Sequence, residues 1–500
     1  MKTIIRVLAL TALVEVFCLA VSGCSDSGPY GFSGYYIEEK GKSVSVDGNG
    51  NVYVAGVFSG TADLNPGPGV DEHTSTDLSE TFVSAFDSSG SFLWARTWCD
   101  PSNYSNKNKN VAVVAADGSG SAFVAGSFEG KADLDPGPGV DEHIALSRGV
   151  FLSKLDSQGN YLWGRSWGAL DVEKSAIDIG DNIYITGDFG SVICYGGSTS
   201  TGSIDFDPGP ETDYHSGSGV FLSKFDSEGD FMWAATWDKG KGSEVAVDED
   251  GCVYLTGIFD GGLDFDPGPA EAKDAGTSSP FLCKLDPEGN FSWVSRVGGI
   301  YMGSNTCIAV GRGPKVFVGG SFSNHLDYLG STSDVPLSRG KEDIFLAALD
   351  SDGNPLWRFT CGGSGRDFCH GVTVDSDGNV YATGYFSGKV DFDPGPSSSE
   401  QKSRGGPDVY LAKFDPSGNF LWVRTWGSGG WDKGNGIAFD GSGSIYVTGE
   451  FCGRVDFDPG PGRDWHTSTG YNDTFLSKFD LDGNFIWART WGGYNPTTGT

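Results

Sequence analysis

The sequence predicts an all-β fold: a single ring of seven four-stranded antiparallel blades. Three observations carry this. The stretch Thr474–Trp491, TFLSKFDLDGNFIWARTW, is written seven times along 500 residues, with first tryptophans at Trp94, Trp163, Trp233, Trp293, Trp357, Trp422 and Trp487 in steps of 69, 70, 60, 64, 65 and 65 residues. Each copy alternates in strand period on either side of an Asp-x-x-Gly turn. Upstream of each copy lies a second pair of short strands, such as Ser43–Val46 and Asn51–Phe58, so every unit carries four. A period of this length describes a repeat architecture, and it outranks any single residue as evidence for the fold.

Each element follows from local chemistry. In the hairpin, Phe475, Ser477 and Phe479 alternate with Leu476 and Lys478. Asp480 and Gly483 then supply the side-chain acceptor and the φ-tolerant residue of a tight turn, and Asn484–Trp491 returns. In NVYVAGVF, Val52 and Val54 oppose Tyr53, Ala55 and Val57, so both faces are apolar. A sheet apolar on both faces must be covered on both, as when sheets stack around an axis. That arrangement is a β-propeller, within the usual four to eight blades.

Boundaries follow from the repeats: a leader over 1–23, a flexible tether over 24–41, the ring over 42–493 and a tail over 494–500. The blades fall at about 42–98, 109–167, 172–237, 241–297, 303–361, 369–426 and 433–491. In the leader, Lys2 and Arg6 precede the apolar run Val7–Val21, which is shorter than the ~20 residues of a membrane span. Val21-Ser22-Gly23-Cys24 resembles the lipobox of bacterial lipoproteins. That resemblance implies cleavage before Cys24, a lipid on its sulfur and a place in the cell envelope; Ser25 fits the outer membrane.

GNVYATG (378–384), DFDPGPG (456–462) and FLSKFDLDGNFIWARTWGG (475–493) resemble the SBBP repeat of seven-bladed propellers in exported bacterial proteins, and more distantly NHL repeats. The resemblance covers nearly all of 42–493 and implies fold; no shared activity comes with it.

A formal charge of −32 argues against a nucleic-acid backbone as partner, since that needs a basic face. Among ten cysteines there is no CxxC pair, which argues against zinc. Cys361 and Cys369 flank a short link and are the first expectation for a disulfide in an exported chain, with Cys252 and Cys283 the second.

The D-x-D-P-G-P loop is the best candidate for chemistry. It occurs at Asp133/Asp135, Asp205/Asp207, Asp264/Asp266, Asp391/Asp393 and Asp456/Asp458, and as Asp63/Asn65 in the first blade. Paired hard oxygens suit calcium, which takes six to eight ligands, so other groups would have to complete the shell. The alternative is an Asx turn in which each aspartate holds its own loop. His73, His143, His215 and His466 lie ten residues after the first aspartate, where blade 6 has Gln401, a pattern of hydrogen bonding rather than metal ligation. The ladders Trp94/Arg96/Trp98, Trp163/Arg165/Trp167, Trp422/Arg424/Trp426 and Trp487/Arg489/Trp491 recur, which favours packing between blades over sugar stacking.

No nucleophile elbow, phosphate loop or HExxH is present, so a site is expected where the repeat breaks: Cys99–Asn110, Ser191–Gly202 and Ser323–Asp343. The leading expectation is a monomeric, non-enzymatic scaffold, attached to the membrane only by its lipid, that binds a protein or glycan. The alternatives are a polysaccharide hydrolase or lyase using channel carboxylates, and a structural module stiffened by calcium.

Overall fold

The computed structural model describes residues 39–75, 80–98, 113–168, 171–178, 180–190, 192–194, 198–200, 203–259, 264–266, 279–297, 306–311, 313, 315–323, 336–393, 395 and 397–493. The expected leader, Cys24, the tail and most of the irregular segments Cys99–Asn110 and Ser323–Asp343 lie outside these residues. Among the described residues no helix is long and apolar enough to cross a membrane.

Seven antiparallel sheets form the ring, each pairing its four main strands in chain order. Blade 1 consists of Lys40–Val46, Val52–Phe58, Glu80–Phe86 and Phe92–Trp98, and blade 7 of Lys433–Phe439, Ser444–Phe451, Asp473–Asp480 and Phe485–Gly493. First strands of consecutive blades, such as Thr306–Val310 of blade 5 and Phe368–Val374 of blade 6, neighbour one another around the axis. The fold is thus the seven-bladed propeller that the repeat predicts.

The turns explain the Asp-x-x-Gly-Asn signature. Asp480 Oδ1 accepts the N–H groups of Asp482 and Asn484 at 2.9 and 2.8 Å, and Asn484 Nδ2 donates to Oδ2 at 2.8 Å. Gly483 adopts φ of 75°, which side-chain-bearing residues rarely take. The same bonds recur at Asp375, with Asp377 and Asn379 as donors. Asp375-Ser376-Asp377-Gly378-Asn379 looks like the start of an EF-hand loop, and these bonds account for it as turn chemistry.

Second and third strands are the buried ones; Val52–Phe58, Glu80–Phe86 and Val380–Phe386 are buried at every residue. The core is divided into clusters between neighbouring blades. One joins Phe317 and Leu346 of blade 5 to Val380, Tyr410 and Phe414 of blade 6.

Among the described residues each blade takes its four main strands from one continuous stretch of chain, and the ring closes through an added arm strand and side-chain contacts. Thr61–Asp63, in the arm of blade 1, pairs with the outer strand of blade 7 through Ala62↔Gly493 and Asp63↔Gly492. Across the same seam Lys478 Nζ donates to Ser88 O at 2.8 Å and Arg489 Nε to Gly90 O at 2.8 Å. Both oxygens of Glu39, a residue only 2% exposed, face the N–H of Gly493 at 2.5 Å.

Candidate functional site

The first strands enclose a central cavity of about 220 Å³ with a polar lining that includes Ser43, Ser45, Lys174, Ser175, Glu244, Gly371 and Gly436. Strand register identifies equivalent positions around the axis: Ser43 faces Ala55, Val113 faces Ala125, Lys174 faces Thr186, Glu244 faces Thr256, Cys307 faces Gly319, Gly371 faces Thr383 and Gly436 faces Thr448. Charge occupies this position only in blades 3 and 4, where Lys174 Nζ lies 3.4 Å from a Glu244 oxygen. Glu244 Oε2 also accepts the N–H of Ile308 at 2.9 Å. Burial pushes the Glu244 carboxyl above the usual range even against the opposing pull of Lys174. Ser175 Oγ, also on the lining, is buried without a hydrogen-bond partner. In blades 6 and 7 the equivalent positions are Gly371 and Gly436, which carry no side chain and pack against Ile437 and Thr448. Among the described lining residues Glu244 is the single carboxylate.

The aspartate pairs of the D-x-D-P-G-P loops turn back on their own backbone. Asp133 Oδ1 accepts from the N–H groups of Asp135 and Asp141 at 3.1 and 2.8 Å. Asp205 does the same with Asp207 and Asp213 at 3.2 and 2.8 Å, and Asp456 with Asp458 and Asp464 at 3.3 and 2.9 Å. Asp391 takes Asp393 N and Ser399 N, and Asp264 takes Asp266 N. The second aspartates accept one glycine N–H each: Asp135 from Gly137, Asp207 from Gly209, Asp393 from Gly395 and Asp458 from Gly460. Among the described residues no three His, Cys, Asp or Glu side chains gather as a metal site. These loops do not fit a calcium shell of six to eight oxygens, and the geometry favours the Asx turn.

The histidines join each loop to its own outer strand. His143 Nδ1 meets Ser166 Oγ at 2.7 Å, while Nε2 stands 3.4 Å from Asp141. His73, His215 and His466 repeat this with Thr97, Thr236 and Thr490. In blade 6, Thr425 Oγ1 donates to Gln401 Oε1 at 3.4 Å, so an amide does the same work. An Asp–His–Ser/Thr chain in four blades is a brace.

The Trp/Arg ladders pack between blades. Arg96, Arg165, Arg424 and Arg489 each donate Nε to the turn glycine of the next blade, at Gly159, Gly229, Gly483 and Gly90, over distances of 2.8 to 3.1 Å. Their guanidinium carbons lie 4.9 to 5.7 Å from the neighbouring indole centres. Sequence reasoning missed the third-strand lysines, which cap the same turns: Lys154 on Ser227 O, Lys224 on Pro287 O and Lys413 on Leu481 O.

The expected disulfide is corrected by the structure. Cys361 and Cys369, like Cys307, are free, buried thiols in this structure, and the pairing fails on placement. Cys361 ends the outer strand of blade 5, whereas Cys369 sits in the innermost strand of blade 6 with its sulfur 3.6 Å from Cys307 Sγ. Cys252 and Cys283 are free as well, whereas Cys452 is disulfide-bonded.

One stretch of the repeat matches a known family model. Residues 361–385 are an SBBP β-propeller repeat. The matched SBBP segment runs from the last residue of blade 5 through the first strand of blade 6 and most of its second. Over 82% of its length the chain is 22% identical to an uncharacterized WD repeat-containing protein, L264, of Acanthamoeba polyphaga mimivirus, of which it covers 35%. Over 27% of its length it is 29% identical to the regulatory protein FlaEY of Caulobacter vibrioides, of which it covers 14%. The chain thus spans about a third and about a seventh of these two relatives. Among solved structures it is similar to the Dos1 propeller, at 10% identity over 91% of this chain and 95% of that one, with a TM-score of 0.42. Turns, ladders and braces recur from blade to blade; the Lys174–Glu244 pair stands outside that repetition.

Proposed function

We propose that this propeller is an exported, lipid-anchored, non-enzymatic binding scaffold of the bacterial cell envelope. Its channel takes a hydroxyl-rich end group of a glycan, or a polar end group of a protein. The carrying observation is the Lys174–Glu244 pair with Ser175 beside it, which puts donors and an acceptor on one wall of a cavity lined elsewhere by small and aliphatic residues such as Ser43, Ala115, Val372 and Gly436. A site built for polar groups binds them by hydrogen bonds that a repeat of apolar residues cannot offer. The lipobox-like Val21–Cys24 supports the anchoring, and the uniform ring around one irregular wall supports binding over turnover.

A hydrolase acting on polysaccharide ordinarily uses two carboxylates about 5 to 10 Å apart. Glu244 alone, held by Lys174, supplies half of that pair. The test is the full chain against an array of envelope glycans and peptides, alongside Lys174→Met. Saturable binding that is lost in Lys174→Met, with no product released, supports the reading. Release of oligosaccharide or unsaturated product by the purified chain, abolished in Glu244→Gln, overturns it in favour of an enzyme.

A further inference from the structure

The search around the axis leads to blades 5 and 6. Where Cys307 faces Gly319, the other six blades carry alanine or threonine in place of the glycine: Ala55, Ala125, Thr186, Thr256, Thr383 and Thr448. Among the described residues, Thr186, Thr383 and Thr448 each border the first strand of the next blade, which answers with a glycine. A Cβ on Gly242 would lie 2.8 Å from Thr186 Oγ1, and one on Gly434 2.5 Å from Thr383 Oγ1. Gly41 stands in the same relation to Thr448. Where the preceding residue is the smaller Ala125, the next blade carries Val172, buried in the same cluster. Only blade 5 carries glycine, and only blade 6 answers with a cysteine, Cys369.

The space left by the missing threonine is filled by sulfur. An ideal Cβ on Gly319 would lie 2.9 Å from both Cys307 Sγ and Cys369 Sγ. The two sulfurs stand 3.6 Å apart, on neighbouring innermost strands, at 2% and 0% exposure. Close packing makes such a volume exchange strict, since interiors hold few voids. Cys452 is itself disulfide-bonded, so this chain already carries one oxidised cysteine.

We propose that Cys307 and Cys369 form a disulfide that staples blade 5 to blade 6 at the propeller axis. The co-reactant is a disulfide-bearing carrier. One cysteine thiolate attacks a carrier sulfur and expels a carrier thiolate; the second cysteine attacks the mixed disulfide and expels the other. The protein dithiol loses two electrons and two protons, and the carrier disulfide becomes two thiols. Because both sulfurs are buried in the ring, exchange takes place during folding, before blades 5 and 6 close on each other.

The full chain, reduced and unfolded, is refolded with oxidised glutathione, denatured, alkylated without reductant and mapped by mass spectrometry. The peptides of Cys307 and Cys369 are expected to be joined, and the join persists in Cys361→Ser. Gly319→Thr is expected to abolish it by occupying the sulfur pocket. The paired change Gly319→Thr with Cys369→Gly recreates the Thr/Gly contact of other blades and keeps the fold without the staple. The proposal is overturned if natively refolded chain shows both cysteines fully alkylated, or if Cys369 is found joined to Cys361.

Discussion

Glu39→Gln tests how the ring is closed. Glu39 sits at the seam where the start of blade 1 meets Gly493 at the end of blade 7, and its carboxyl is raised to about 8, first by burial and then by the nearby charge of Asp473. A carboxyl whose proton affinity is higher in the folded chain keeps its proton longer there, so stability falls as pH rises through the window between the two values. That window runs from 4.5 to about 8. At about 1.4 kcal/mol for each tenfold change in proton affinity, the full traverse costs about 5 kcal/mol, an upper figure because Asp473 shares the seam. Asp432 and Asp367, each raised to about 7, and Asp408, raised to about 6, act in the same direction, again chiefly through burial. Below the window the balance reverses. At the turn aspartates Asp117, Asp156 and Asp178, burial pulls the carboxyl up, but side-chain and backbone donors together outweigh it and hold it low. Their contribution is lost as pH falls below the ordinary aspartate range. Stability is therefore expected to peak at roughly pH 4 to 6. Urea unfolding at pH 5 and pH 8 reads this directly. The native chain should lose midpoint at pH 8, and Glu39→Gln, which keeps the acceptor for Gly493 N–H but cannot ionise, should recover part of the loss. Parallel profiles for the two chains, or a native chain more stable at pH 8, would refute a protonated seam.

Three further outcomes are expected. Gly159 has φ of 75° and a Cβ there would lie 2.6 Å from the Trp94 ring, so Gly159→Ala should cost about 1–3 kcal/mol in urea unfolding; an unchanged midpoint would mean the indole does not rest on that turn. Lys174→Met leaves Glu244 buried without its counter-charge and should cost about 3 kcal/mol at neutral pH, with a smaller loss at pH 5 where the carboxyl takes up a proton; equal losses at both would refute the channel ion pair. The thermal midpoint should be the same in calcium and in EDTA, because the Asp391/Asp393-type carboxylates already serve backbone N–H groups; a rise of several degrees with calcium would reinstate the metal.

The blades were legible because their determinants are local. A tryptophan every 60 to 70 residues, an Asp-x-x-Gly turn and two-sided apolar strands each act within a few residues of themselves. The closure was not legible, since Glu39 and Gly493 meet only when the ring is complete. The Cys361–Cys369 expectation relied on closeness in sequence. A blade boundary falls between them, and it carries the chain from the outer strand of one sheet to the innermost strand of the next. The channel pair was present in the sequence as Lys174 and Glu244, at one register position of neighbouring first strands. It becomes visible only when those strands are compared residue by residue, because the repeat signal comes from the hairpins.

The two edges of each blade face different constraints. At the periphery, arginine, lysine and tryptophan donors address backbone oxygens of the next turn, as Arg424 does Gly483 and Trp357 does Pro416. A carbonyl is present whatever residue bears it, so these contacts repeat without regard to the partner's side chain. At the axis, the second strand of one blade meets the first strand of the next through side-chain volume, Thr186 against Gly242 or Gly319 against Cys369, so a change on one strand requires an answering change on the next. Variation there comes in neighbouring pairs. Lys174 with Glu244 on blades 3 and 4, and Cys307 with Cys369 on blades 5 and 6, are two such pairs. A propeller locked at its rim by backbone contacts can therefore change its axis one inter-blade pair at a time, and that is where this chain departs from its own repeat.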